Sequence, residues 1–506
     1  MKYPYVISRT STREPRQSVM DSGIVLVNVL VFATIAITVT TALVNWGATV
    51  LKSARNLDAR EQALQIAEAG VEYYRWHLAH APADYQDGTG GPGPYVHSVV
   101  DADGDLIGEY SLTITPPPTG STIVKIRSVG TVVVDPSVSR TIQTTLAIPS
   151  LAKYAVVANA DMRFGEGTEV FGPIHSNGGI RFDGLAHNIV TSGVASYDDP
   201  DHAESGAEKL EFGVHTHVNP PPGSGVSSTY RSAEMPPATP PNRSDVFVAG
   251  RQFPVPTFDF TGLTTDLSAM KSDAQSSGRY YAHSGAQGYH IVLKTNDVYD
   301  IYRVDSLRAA PNNCTNTASQ TNWGTWSVNG QTLLASNQAF PSNGLIFLED
   351  HVWVDGTINT ARLTIASGRF PDNVTTRTDI TVNNDLRYTN YDGSDVLSLI
   401  AQRNINTGLF SEDDLRIDAA LVAQNGRVGR WYYESDCRSG GVNYYTRTLL
   451  TLYGMIASNQ RYGFAYTDGT GYDSRDIVYD NNLLYGPPPS FPLTSSQYTT
   501  ISWEEI

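Results

Sequence analysis

SGIVLVNVLVFATIAITVTTALVNW, Ser22–Trp46, carries no charged side chain in a chain that is otherwise polar. Its uncharged run from Gly23 to Val44 holds Ile24, Val25, Leu26, Leu30, Val31, Phe32, Ile35, Ile37, Val39, Leu43 and Val44. A helix rises about 1.5 Å per residue, so about twenty such residues cross a hydrocarbon layer of roughly 30 Å. Thr34, Thr38, Thr40 and Thr41 fit there, because a helix lets each hydroxyl bond to a carbonyl one turn back.

The flanks decide what kind of apolar helix this is. Lys2, Arg9, Arg13 and Arg16 precede it against Glu14 and Asp21, a positive excess that holds the amino end in the cytoplasm and sends the rest across. A secretory signal would end in a small-residue cleavage site followed by a globular start. Here GATVLKSARNLDAREQALQIAEAGVEYYRWHLAH, 47–80, continues the helical pattern. Leu57, Leu64, Val71 and Leu78 recur at heptad spacing, with Ala67 and Tyr74 beside them, and most charges lie elsewhere. The pattern predicts one helix from Ile24 to about His80, roughly 85 Å long, lipid-compatible in its first half and protein-facing in its second. A plain membrane anchor joined to a juxtamembrane coiled coil is the alternative.

The combination resembles the start of type IV pilin-like proteins, particularly the larger minor pilins of the PilX type. The resemblance implies a leader peptide, 1–23, cut by a prepilin peptidase between Gly23 and Ile24, and a long helix, 24–80. It further implies partnership with other pilin-like subunits, the pilus assembly machinery and the inner membrane, and a final location on a pilus or the cell surface. Asn56–Gly70 is similar to the family's signature for the second half of that helix, most clearly at Ala67, Glu68, Ala69 and Gly70. One residue departs from the pattern: the family usually has a glutamate at the fifth mature position, where this chain has Asn28. An amide donates and accepts hydrogen bonds but balances no charge in an apolar layer. The departure implies a minor, tip or initiating subunit rather than a self-stacking major one.

At 506 residues the chain exceeds one ordinary core. Only 17% of residues are charged, while 43 Gly and 28 Tyr accompany many Thr, Ser and Asn residues, a composition of β-rich envelope proteins. The net charge of -16 argues against a nucleic-acid partner. Cys314 and Cys437 are the two cysteines. Either they form one disulfide in an oxidising compartment, closing a loop of over a hundred residues, or they are two separate thiols.

After the turn-rich tract 81–95, alternation predicts strands at 108–115, 123–134 and 140–148, giving 93–149 a small antiparallel sheet against the helix. Asp101, Asp103 and Asp105 lack the spacing and closing Glu of a calcium loop and read as a solvated turn. From Ser150 to Gly429, short Val- and Ile-rich bursts alternate with Asn, Gly and Asp. The pattern predicts an irregular parallel β-helix with left-handed Asn and Gly at its corners, or alternatively a β-sandwich. The expected fold class is therefore α+β, a pilin-like module followed by a mainly β domain, 150–429, with a Pro- and Ser-rich loop insertion at 219–245. A helical piece falls near 255–275, and 430–506 is expected to cap the solenoid.

No catalytic constellation emerges. His215 and His217 share a face if their segment is a strand, and His175 is the next most ligand-like histidine. No third ligand is fixed by spacing, so no metal or other cofactor is expected. The pairs Asp198/Asp199 and Asp413/Asp414 would have to serve a polysaccharide-degrading β-helix, yet adjacent acids on a strand point to opposite faces. Trp323, Trp326, Trp431, Tyr432, Tyr433, Tyr444 and Tyr445 read first as core packing. Exposed, they would favour a tethered adhesin that takes a surface glycan or protein as receptor. The principal expectation is a non-enzymatic pilin-like surface protein.

Overall fold

One helix, Val19–His80, runs 62 residues, about 93 Å. The computed structural model describes residues 19–201, 210–223, 234–236, 239–260 and 262–506. Most of the expected leader, residues 1–18, and residues 224–233 and 237–238 of the expected loop insertion lie outside the described residues. Within the helix, Thr38 and Thr41 donate to the Thr34 and Ile37 carbonyls at 2.7 and 2.8 Å, so the hydroxyls of the apolar stretch are satisfied internally. The most apolar eighteen-residue window is 0% buried, and this is the one described helix long and apolar enough to cross a membrane.

The helix meets protein only in its second half. Strands Tyr95–Val100, Leu106–Thr115, Val124–Val132 and Asp135–Ala147 form an antiparallel meander. Alternate residues Val124, Ile126, Ser128, Gly130 and Val132 face the helix. Ala59, Ala63, Ile66, Ala67, Gly70, Val71, Tyr74 and Leu78 answer them. Small residues set the distance: a Cβ on Gly130 would lie 2.1 Å from the Ala63 carbonyl oxygen, and one on Gly70 would lie 2.5 Å from Ser128 Oγ. Leu57, read as the first position of the heptad stripe, is 64% exposed, because the sheet ends before reaching it.

The second body is a three-faced, open, largely parallel solenoid, which decides between the β-helix and the sandwich. One face stacks Arg279–Tyr281, Leu345–Leu348, Arg362–Ser367, Val396–Ala401 and the ends of Asp414–Ala423 and Thr446–Ser458. The same stack continues with Val156–Ala158, Ile174–Ser176, Val190–Ser192 and Arg251–Gln252. The chain therefore enters the solenoid in the middle. It builds outward to Gln252, returns along the outside, and rebuilds from Arg279 until Ile456 pairs with Val156.

The return explains the burial of this face on both sides. Phe260 and the helix Gly262–Ser276, through Leu267, Met270 and Ala274, cover its outer residues together with Leu483 and Phe491. Strands such as LIFL and VLSLIA are accordingly buried at every position, unlike the alternating strands of the meander. Inside, Phe164 stacks on Phe182 at 4.6 Å between centroids.

At one corner the Asn159 and Asn177 amides donate to the Asn459 and Asn159 side-chain carbonyls at 2.9 and 2.8 Å. Left-handed backbone was expected of Asn and Gly at the corners, and glycines in the solenoid turns such as Gly167, Gly250 and Gly344 have it. None of these three asparagines has positive φ, and their contribution is this side-chain ladder between rungs.

The two bodies are interleaved. The final strand, Thr499–Glu505, does not cap the solenoid but pairs antiparallel with Asp135–Ala147, so the solenoid is an insertion between two neighbouring strands of the first sheet. Arg362 sits at the joint, donating to the carbonyls of Thr119, Gly393, Gly486 and Pro487, each at 2.8 Å. One end of the solenoid is closed by antiparallel strands Val298–Leu307 and Val328–Ala339 laid against Gly288–Lys294. At the other, Glu234 pairs with buried Arg243 at 3.5 Å and with Arg251.

Candidate metal centre

The second face of the solenoid places Met162–Phe164, Ile180–Phe182 and Val214–His215 side by side in parallel. Met162, Ile180 and Val214 point into the core, which turns the next residues, Arg163, Arg181 and His215, outward in a row. His215 is nevertheless fully buried. The cover is a short antiparallel excursion, Ser196–Tyr197 against Glu211–Phe212, which leaves the rung and folds back over it. Gly179 makes room, since a Cβ there would lie 2.2 Å from the Tyr197 ring. That ring sits 5.5 Å from His215 between centroids.

Two residues past Tyr197, Asp199 is buried while Asp198 faces solvent. Its Oδ1 accepts from the Asp201 amide at 3.0 Å, and its own amide donates to Glu211 Oε2 at 3.3 Å. Its Oδ2 lies 3.6 Å from His215 Nε2 and 3.8 Å from His217 Nε2, and the two Nε2 atoms are 3.2 Å apart. Arg181 Nη1 stands 3.7 Å from the same oxygen. Burial by itself would raise the Asp199 carboxyl. The proximity of His215, the Asp201 amide and the Arg181 charge outweigh it and hold the group well below the usual carboxylate range. His217 is fixed through its backbone, whose N–H donates to Asp183 Oδ1 at 2.8 Å, and Asp183 is itself held by Arg181 Nε at 2.7 Å.

The histidine pair was legible in HTH, whereas its carboxylate partner was not. Asp199 stands sixteen positions upstream of His215 and arrives through the excursion. An acid just beyond a short strand was the available signal, and it is common in turns. His175 is on another face: its Nδ1 contacts Thr191 Oγ1 at 3.0 Å and its Nε2 contacts Asn177 Oδ1 at 3.2 Å, so both nitrogens serve the corner. Asp413 accepts from Thr448 at the surface, Asp414 opens a strand, and Asp101 Oδ1 accepts from the Asp103 and Asp105 amides in a turn.

Cys314 and Cys437 are joined by a disulfide. Trp326, Trp353, Trp431 and Tyr433 pack around it with Trp323, Tyr444 and Tyr445, so these aromatic rings form a core rather than a binding platform. At the amino end, Ala67 and Gly70 face the sheet, Glu68 and Ala69 face outward, and Gly23, Ile24 and Asn28 lie on the bare part of the helix.

Beside the His/Asp cluster opens a cleft of about 720 Å³ lined by Arg163, Arg181, Arg427, Arg461 and Arg475, with Tyr462 on its wall. It marks the seam where the chain's first and last rungs meet. Its arginines are committed to the protein: Arg163 and Arg461 to Asp201 at 3.2 and 2.6 Å, and Arg475 to Thr168 Oγ1 at 2.8 Å and to backbone carbonyls.

No protein-family model matches the chain, and no curated protein does. Among solved structures it is similar to the competence-associated pilin ComZ from Thermus thermophilus, at 15% identity with a TM-score of 0.28, over 88% of this chain and 97% of that one.

Proposed function

We propose that the chain is a non-catalytic, pilin-like surface subunit of the bacterial envelope, carried in or near a type IV pilus-like assembly as a minor or tip component. One observation carries the reading: a single helix is bare and apolar through its first half and packed on an antiparallel sheet through Ala63, Ala67 and Gly70 in its second. The first half suits a bilayer before assembly and neighbouring helices after it. The solenoid, inserted between adjacent strands of that sheet, is then the displayed part.

On this reading a prepilin peptidase cuts between Gly23 and Ile24, and Asn28, which balances no charge, excludes the role of main filament subunit. Amino-terminal sequencing of protein from sheared filaments tests it. Ile24 as first residue, with immunogold label on filaments, is expected, and Gly23→Trp leaves an uncut precursor. Recovery of residues 1 to 23 on the working protein overturns the processing step, and label confined to the cell body overturns the filament role.

A further inference from the structure

We propose that Asp199, His215 and His217 form a binding site for one divalent first-row transition ion, for which zinc is the best match. Three potential ligand atoms converge there. The Asp199 Oδ2, His215 Nε2 and His217 Nε2 atoms form a triangle with sides of 3.2, 3.6 and 3.8 Å. The point equidistant from its corners lies about 2.1 Å from each, within the range of zinc–imidazole and zinc–carboxylate bonds. Contracting the sides by a few tenths of an ångström would let the ion rise from the plane toward a fourth ligand and tetrahedral geometry.

Burial adds a second observation. Asp199 Oδ2 and His215 Nδ1 make no hydrogen bond among the described residues, although Asp199 and His215 are both buried. A buried carboxylate oxygen aimed at two imidazoles is costly unless a cation or proton sits between them. The Arg181 guanidinium is already occupied with Asp183 and reaches Asp199 only at 3.7 Å. Two imidazoles and one carboxylate favour a borderline transition ion over calcium or magnesium, which take oxygen ligands.

The bound ion would tie the Tyr197–Asp199 side of the excursion to the rung at Val214–His217, a cross-link the chain otherwise makes with few strand bonds. Because His215 Nδ1 lacks the acceptor that usually orients a metal-bound imidazole, the affinity should fall about 10- to 100-fold below that of a fully supported site.

Equilibrium dialysis of the full-length chain in detergent against zinc, with metal content read by mass spectrometry, tests the assignment. One zinc per chain is expected, retained against millimolar calcium or magnesium and removed by a chelator. The near-isosteric Asp199→Asn should weaken zinc binding at least tenfold, as should His217→Gln, with melting and hydrogen exchange checking that each variant is folded. His187→Ala, at a half-buried His–Glu pair elsewhere, should leave it unchanged. A folded wild-type chain that takes up no zinc, or zinc affinity undiminished in both site variants, overturns the proposal.

Discussion

The meander and the solenoid bury similar residue types by opposite devices. In the meander one face is covered, so burial alternates along Val124–Val132, and the cover is a helix brought close by Ala63, Ala67, Gly70 and Gly130. In the solenoid the first face is enclosed on both sides, so whole strands are apolar. Closeness there comes from stacked rungs with ladders of Asn and Phe. The meander is built from neighbours in sequence. The solenoid's central join, Ile456 on Val156, spans three hundred residues. A helix-covered sheet thus depends on the shape of a few small residues, and a solenoid depends on how its ends and corners are closed.

The sharpest break should come at an end. Glu234 faces Arg243 and Arg251; without it Arg243 keeps Asp245 at 2.7 Å, but Arg251 loses its carboxylate partner in a buried setting. Glu234→Ala should cost about 4 kcal/mol at that end, since breaking a buried ion pair typically costs 3–5. The chain has two bodies and a global unfolding energy would be ill-defined, so hydrogen exchange resolved by peptide is the measurement. Protection should fall in 174–192 and 246–252 and persist in 124–147. Equal loss in both bodies would show that they unfold as one.

Next is the disulfide. Cys314 and Cys437 stand 123 positions apart, and in the chain-entropy account closing so long a loop stabilises by several kcal/mol. Replacing both with Ser should cost about 3 kcal/mol, read as lower protection of 308–327 and 431–445, with the meander unaffected. Gly130→Val tests the other body. Its side chain would enter the Ala63 and Ala67 backbone, and overpacking of this kind costs about 2 to 3 kcal/mol. Proteolysis between helix and sheet should accelerate while the solenoid stays protected.

What could be read in advance follows the same division. The helix and meander were legible because their determinants are local: an uncharged run of membrane length, an Ala/Gly/Tyr face at helical spacing, and alternation in GEYSLTIT. The register error at Leu57 arose because periodicity shows a stripe but not where its partner sheet ends. The solenoid's class was legible in its short Val- and Ile-rich bursts, but its rung order was not. Nothing local in VVANAD says that it pairs with MIAS far downstream, because parallel stacking places its hydrogen bonds on residues remote in sequence. The pairing of the tail strand Thr499–Glu505 and the link from Asp199, read only as half of an acid pair, to the histidines were missed for one reason. Each meets its partner across intervening chain that leaves the sheet, and neither has a sequence signal stronger than an ordinary strand or turn.

Where the two bodies join, a smaller effect is expected. Arg362 holds four carbonyls from the meander's turn, the solenoid and the Gly-Pro-Pro-Pro tail. Charge-assisted bonds contribute about 1.5–3 kcal/mol each in favourable settings, but water can reach these carbonyls once the side chain is gone. Arg362→Ala should therefore cost about 2 kcal/mol and raise exchange at 115–122 and 483–491 without altering either core. Unchanged exchange there would mean that backbone bonds such as Ser150 to Leu484 suffice for the joint.

The mildest test is pH, and it acts on the solenoid through buried His175 and half-buried His351 and His290, the last opposite in sign to the other two. Burial lowers His351, whose Nδ1 accepts the Asp379 amide at 3.0 Å and must stay unprotonated to do so. Burial also lowers His175. For both, the folded value lies below the unfolded one, about 6.5, so their stability is present above pH 6.5 and is lost as pH falls toward the folded values. His290 runs the other way: burial alone would lower it, but its bond to Asp355 at 3.0 Å prevails and raises it. Its contribution is present below pH 6.5 and lost as pH rises through the folded value. Between pH 6.5 and 5.5 the solenoid rungs 345–407 should lose protection, by no more than about 1 kcal/mol for one histidine. The amides of 124–147 provide the internal reference. His351→Gln, which keeps an acceptor but cannot titrate, should flatten the acid limb, and His290→Gln should flatten the alkaline one. If both limbs persist in both variants, the pH response comes from surface carboxylates, and the rung histidines are simply packed side chains.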